Sequence, residues 1–152
     1  MRLIIRQRPE QAAQCVAGYI VRELNHDDGH IAFNEPGSSL TSRTRIKTLT
    51  HETIIAKARF FNHNLKAVPR MALTVGVQTI MEAREIVIIA TGTSKALAIQ
   101  QAIEGGVSHL CTLSCLQLHS DSMVVVDEDA TMELKAKTVK VIFPTVGVRS
   151  RL

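Results

Sequence analysis

Tryptophan is absent from this 152-residue chain, and tyrosine occurs once. Aromatic residues amount to 3%, so any core has to be aliphatic. The stacking platforms that single-stranded nucleic-acid binders rely on are missing too; only Phe60 and Phe61, beside Arg59, join ring and cation. Cysteine is scarce. Cys15, Cys111 and Cys115 are an odd number, and the C-x-x-x-C pair has no second pair to complete a zinc site or a disulfide framework. Free thiols in a reducing compartment follow from that. No apolar run approaches the length of a membrane span. The opening MRLIIRQRPE has too short an apolar run for a secretory signal. A cytoplasmic protein is therefore expected. There is no internal repeat and no low-complexity segment.

What is present describes one domain. Hydrophobic residues make up 45% and charged residues 21%, with a formal net charge of +4. That balance suits a globular domain with a real core and accommodates an anionic ligand. RLIIR (2–6) reads as a strand. Ala13, Val16, Ala17, Ile20 and Leu24 recur at helical spacing, which predicts a helix over 9–25. NEPGSS is a turn. Alternation predicts a strand over 44–50, and HETIIAKARFF a helix over 51–61. MALTVGV (71–77) and EIVIIAT (85–91) are β-branched runs of the kind covered on both faces in a parallel sheet. Residues 94–106 read as a helix with a glycine stop, MVVVD (123–127) as a strand and 130–140 as a helix. The tail from Val141, which contains Pro144, has no helical period. Strands alternating with helices predict an α/β fold with a parallel sheet.

The stretch HDDGHIAFNEPGSSLTSRTRIKT (26–48) concentrates groups able to carry chemistry. His30 lies near Asp28 and Glu35, carboxylates that can hold an imidazole's tautomer and stabilise its cation in general acid–base work. A surface histidine without a role is the plainer alternative, and composition alone favours it. The alternation of His26, Asp28 and His30 is a weaker sign of metal binding, since no second cluster frames it. Lys95 follows a strand and a Gly-Thr-Ser turn at a helix opening, a place where N–H groups and an ammonium favour phosphate. A capped helix with a solvated lysine fits equally well, and the glycine spacing is not that of a P-loop. Arg59 lies on a helix, as in a surface salt bridge. Arg43, Arg45 and Lys47 alternate on one strand face, as an anion site or, more simply, a solvated face.

DGHIAFNEPGSSLTSRTRIKTLTHET, with ARFF, VPRMALTVGVQTIMEAREIVIIATGTSKALAIQQAIEGGVSHLCTLSCLQLH and DEDATMELKAKTVK, resembles the glucosamine-6-phosphate deaminase (isomerase) family. The resemblance covers Asp28 to Lys140 almost continuously, and the opening strand and helix resemble the family's start. It implies a three-layer, Rossmann-like α/β fold, a mostly parallel sheet flanked by helices. It implies an enzyme, assigned to the hydrolases, that converts glucosamine 6-phosphate to fructose 6-phosphate and ammonia in amino-sugar catabolism, with no cofactor and no metal. His30 would open the sugar ring, with Asp28 and Glu35 as its carboxylate partners. Arg59 and Lys95 would hold the substrate phosphate. Ser38, Arg45, Lys47 and Thr48 match positions that bind N-acetylglucosamine 6-phosphate in allosteric members, and a homo-oligomer, a hexamer in the family, is implied.

Two departures qualify the match. Between the first helix and DGH, family members carry more than a hundred further residues, including a glycine-rich phosphate loop and the aspartate that takes the proton from sugar carbon 2. After Lys140 the family's aromatic residue and longer helical end are replaced. The expectation is one incomplete domain over 1–152: a strand and helix in 1–25, the C-terminal part of the family domain in 28–140 and a divergent tail in 141–152, lacking several strands of the family fold. An alternative function is an inactive, internally deleted form that binds sugar phosphate or associates with full-length subunits.

Overall fold

The computed structural model describes residues 2–5, 19–22 and 29–142. The elements are β1 (Arg2–Ile5), β2 (Tyr19–Arg22), β3 (Arg45–Thr48), α1 (His51–Ala58), β4 (Met71–Thr74), α2 (Val77–Met81), β5 (Ile86–Ala90), α3 (Ala96–Glu104), β6 (Ser122–Val126) and α4 (Ala136–Ile142). Short 3-10 turns follow α1, precede α3 and α4, and occupy Thr112–Leu118.

Four strands form a parallel sheet in the order β1-β6-β5-β2. The centre of that sheet is the β-branched pair β5 and β6. Ile86, Ile88, Val124 and Val126 enter one core with Val77 and Ile80 of α2, Ile99 and Ala102 of α3, and Leu113 and Leu116. Val87 and Val125, which alternate with them, are buried as well. Burial on both faces is why these strands read as unbroken apolar runs.

The structure corrects three expectations. The helix over 9–25 does not hold at its end, because Tyr19–Arg22 is strand β2, in register with Ile86–Ile89 of β5. An aromatic followed by β-branched residues beside a central strand outweighs the helical spacing there; residues 6–18 and 23–28 lie outside the described part. Residues 71–77 are not a parallel core strand. Met71–Thr74 pairs antiparallel with β3 in a separate two-stranded ladder, and Val77 opens α2. The helix over 130–140 is shorter, running over Ala136–Ile142 after a 3-10 turn, so it reaches two residues into the tail.

Candidate active site

The loop from Gly29 to Ser42 is built from tight turns. Asn34 N–H donates to Ile31 O at 3.0 Å, Ser38 N–H to Glu35 O at 3.0 Å and Ser42 N–H to Ser39 O at 3.1 Å. Pro36 and Gly37 occupy the middle of the second turn, and Gly37 takes the positive φ, 87°, that such a turn requires. The first turn, Ile31–Asn34, is flanked by His30 and Glu35. A turn of this kind brings its ends to within about 7 Å, so the imidazole and the carboxylate belong to one folded unit. His30 is 1% exposed and Glu35 3%.

Glu35 is held by the start of α1. Its Oε1 accepts from Thr50 N–H (2.9 Å), Thr50 Oγ1 (3.0 Å) and Thr53 Oγ1 (2.7 Å). Thr50 is also the helix cap, accepting from Thr53 N–H. A carboxylate at this end gains from the helix dipole as well as from three donors.

Asn34, fully buried, ties the loop to its surroundings. Its Nδ2 donates to Ile31 O (2.9 Å) and Val75 O (2.8 Å), and its Oδ1 accepts from Arg45 Nη1 (3.0 Å). Phe33 N–H donates to Thr74 Oγ1 at 3.1 Å. On the other side, Leu113 N–H donates to Gly29 O (2.9 Å) and Gly37 N–H to His109 O (2.9 Å).

Gly29 has φ +70°, and a Cβ there would stand 2.6 Å from Cys111 Sγ and 3.6 Å from Ala98 Cβ. That approach seats the loop on α3, the helix that Lys95 precedes. Lys95 ends the turn after β5, where Gly92 has φ +86°. Both carboxylate oxygens of Asp127, at the end of β6, accept from Gly92 N–H, at 3.0 and 2.9 Å. Lys95 therefore stands at the carboxyl ends of parallel strands, where α/β sheets bind ligands.

Arg59 sits past the end of α1, exposed, with its guanidinium 4.7 Å from the Phe60 ring centroid. Lys57, two residues earlier, lies 5.8 Å over Phe33, so this end of α1 also borders the loop. Ser38 is buried, with its Oγ lacking a hydrogen-bond partner. On β3, Arg45 and Lys47 share the half-buried face, while Thr48 lies on the exposed one with Ile46. Arg43 turns elsewhere and pairs with Glu82. Asp28, with His26, lies outside the described residues. Asn34, Thr50, Thr53, Thr112 and Asp127 went unnoticed in the sequence. A threonine pair at capping distance was a visible signal for Thr50 and Thr53; nothing local marks the others.

Over 113 residues the chain is 65% identical to a glucosamine-6-phosphate deaminase of Caenorhabditis elegans and 66% identical to ones of Tolumonas auensis and Dictyostelium discoideum. Over this stretch the chain is similar to glucosamine-6-phosphate deaminases. The match takes in 74% of the chain and 42% of those relatives, so the chain spans less than half their length. A solved monomeric glucosamine-6-phosphate deaminase is similar at 43% identity and a TM-score of 0.67, over 70% of this chain and 44% of that one. The fold is accordingly part of a Rossmann-like α/β domain. No protein-family model matches the chain. The assignment to the hydrolases is corrected by the relatives: they are deaminases, whose chemistry is an isomerisation with loss of the amine, and the hydrolase class is withdrawn.

Proposed function

We propose that this chain carries the sugar-ring-opening and phosphate-holding part of glucosamine-6-phosphate deaminase, the enzyme that turns glucosamine 6-phosphate into fructose 6-phosphate and ammonia in amino-sugar catabolism. The observation that carries the reading is the buried His30–Glu35 turn, seated through Gly29 on the helix that follows Lys95. In this reading His30 moves the proton between ring oxygen and anomeric hydroxyl, with Asp28 and Glu35 as its partners. Lys95 and Arg59 take the phosphate. Ser38, Arg45, Lys47 and Thr48 are candidates for an N-acetylglucosamine 6-phosphate site, supported by the bond from Arg45 to Asn34 inside the catalytic loop. A homo-oligomer and a cytoplasmic location complete it; the buried free thiols Cys111 and Cys115 agree with a reducing compartment. The domain is the family's C-terminal part, 28–140, joined to a segment over 1–25 that contributes strands β1 and β2 to the sheet, and to a tail from 141 whose first two residues finish α4.

A second reading is a form that binds sugar phosphate, or full-length subunits, without completing deamination. It is favoured by the matched span, 42% of the relatives' length. One pair of measurements separates the two. Exchange between the anomers of glucosamine 6-phosphate, followed by NMR, reports ring opening; ammonia reports the whole reaction. We expect faster anomer exchange with the wild-type chain, its loss in His30→Gln, and negligible ammonia, since no residue matches the carbon-2 base. A missing positioned base costs about 10²–10⁴-fold. Anomer exchange that is unchanged in His30→Gln removes the assignment of His30, and ammonia release near that of a full-length relative removes the second reading.

A further inference from the structure

We propose that Thr112 is a positioning residue that sets His30 and Glu35 relative to each other. Its hydroxyl bonds both ends of the turn between them. Oγ1 accepts from Ile31 N–H at 3.0 Å and donates to Asn34 O at 3.0 Å. Ile31 directly follows His30, and Asn34 directly precedes Glu35. A single oxygen, 81 residues away along the chain, thus spans the acid–base pair.

Three observations make the clasp specific. Thr112 is 0% exposed, as are Ile31 and Asn34, so no solvent substitutes for the hydroxyl. A hydroxyl donates and accepts through a single atom, so it satisfies the N–H and the carbonyl from one point; a valine of the same shape satisfies neither. The turn it closes is also strained, because Ala32 has φ 54°, a left-handed conformation that side chains other than those of Gly, Asn and Asp rarely adopt. A turn in such a conformation persists when its surroundings over-determine it. Besides the turn's own bond from Asn34 N–H to Ile31 O and the Asn34 side chain, Thr112 is what fixes both ends.

The proposal rests on the reading of His30 and Glu35 as the acid–base pair. Its test uses the full chain carrying Thr112→Val, which keeps shape and loses both bonds, or Thr112→Ser, which keeps both. In the valine chain the Ile31 amide is expected to exchange with solvent about ten-fold faster, the effect of losing one buried hydrogen bond. The His30 ring resonances should shift. The maximal anomer-exchange rate should fall while the half-saturating glucosamine 6-phosphate concentration stays unchanged. Serine should restore all three. A folded valine chain with wild-type Ile31 protection and His30 resonances overturns the proposal, as does a serine chain that fails to restore them. If the valine chain does not fold, the serine chain decides alone, and loss of Ile31 protection in it is the overturning result. Should His30→Gln leave anomer exchange untouched, the functional reading falls, and Ile31 protection with the ring resonances still decides on Thr112.

Discussion

At Gly29 a single added atom would be both strained and crowded. A Cβ at φ +70° meets Cys111 Sγ at 2.6 Å and the α3 backbone at Ala98 O at 3.6 Å. Left-handed strain costs about 1–2 kcal/mol and overpacking about 1–3 kcal/mol. Gly29→Ala is therefore expected to lower stability by roughly 2–5 kcal/mol, combining those two costs, in a urea melt, and to displace His30, its neighbour. The sulfur atoms nearby obey a different constraint. Burial, with Cys111 adding to it, pushes the Cys115 thiol up to about 12 from an ordinary value of 9.0. The thiolate is the reactive form. Iodoacetamide at pH 8 is accordingly expected to leave Cys115 unmodified in the folded chain and to label it in urea, as read by mass spectrometry of tryptic peptides; native labelling would contradict its burial.

Among the elements, one carboxylate of α3 reaches the start of α4, whose Val139 packs on the core. Glu104 accepts from Lys135 N–H at 2.8 Å. A hydrogen bond from Thr138, above all, holds its carboxyl below the ordinary 4.5, with Lys135 and Gln100 adding to the effect and burial opposing it. A depressed carboxyl stabilises the fold above its unfolded pKa, and that contribution is lost as pH falls through the folded value. Acidification below 4.5 is expected to release α4 early, seen as faster amide exchange in Ala136–Ile142. Thr138→Val removes the largest cause and should move that release to higher pH.

The elements also show what the chain discloses in advance. β5 and β6 were legible because burial on both faces leaves mostly β-branched residues. The Pro36–Gly37 turn was legible because its chemistry is local. β2 was not, since Ile20 satisfies a helical spacing and a strand equally, and only its partner β5 decides. The 71–77 run misled because its hydrophobicity does not signify burial: Leu73 is 72% exposed. Of the site, the residue types and the alternation of Arg45 and Lys47 could be read, and the family resemblance assigned roles to them. The supports could not. Thr112 and Asp127 act through bonds to Ile31, Asn34 and Gly92 that no spacing encodes.

On the scale of the whole molecule, the β3–β4 ladder stands apart from the parallel sheet. Its outer face pairs Ile46 with Leu73 and Thr48 with Met71, and Ile46 and Leu73 are 69% and 72% exposed. Contiguous exposed apolar side chains of this sort mark association surfaces. If the chain forms a homo-oligomer through this face, Ile46→Lys with Leu73→Glu is expected to reduce it to monomers in sedimentation velocity, while the melting of the parallel sheet stays unaffected. An unaltered oligomer would place the contact elsewhere.

The clasp on the His30 loop has a consequence in time. Ile31 and Asn34 are synthesised early, yet their partner Thr112 and the backbone groups of His109 and Leu113 come some eighty residues later. Contacts of such separation close late, after the chain entropy of the intervening loop has been overcome. During synthesis the turn emerges from the ribosome with its own internal bonds but without the Thr112 hydroxyl that holds its two ends. The bonds that fix both ends of the turn therefore form only once Thr112 has been made, so a translation product arrested before it carries every residue of the loop without them.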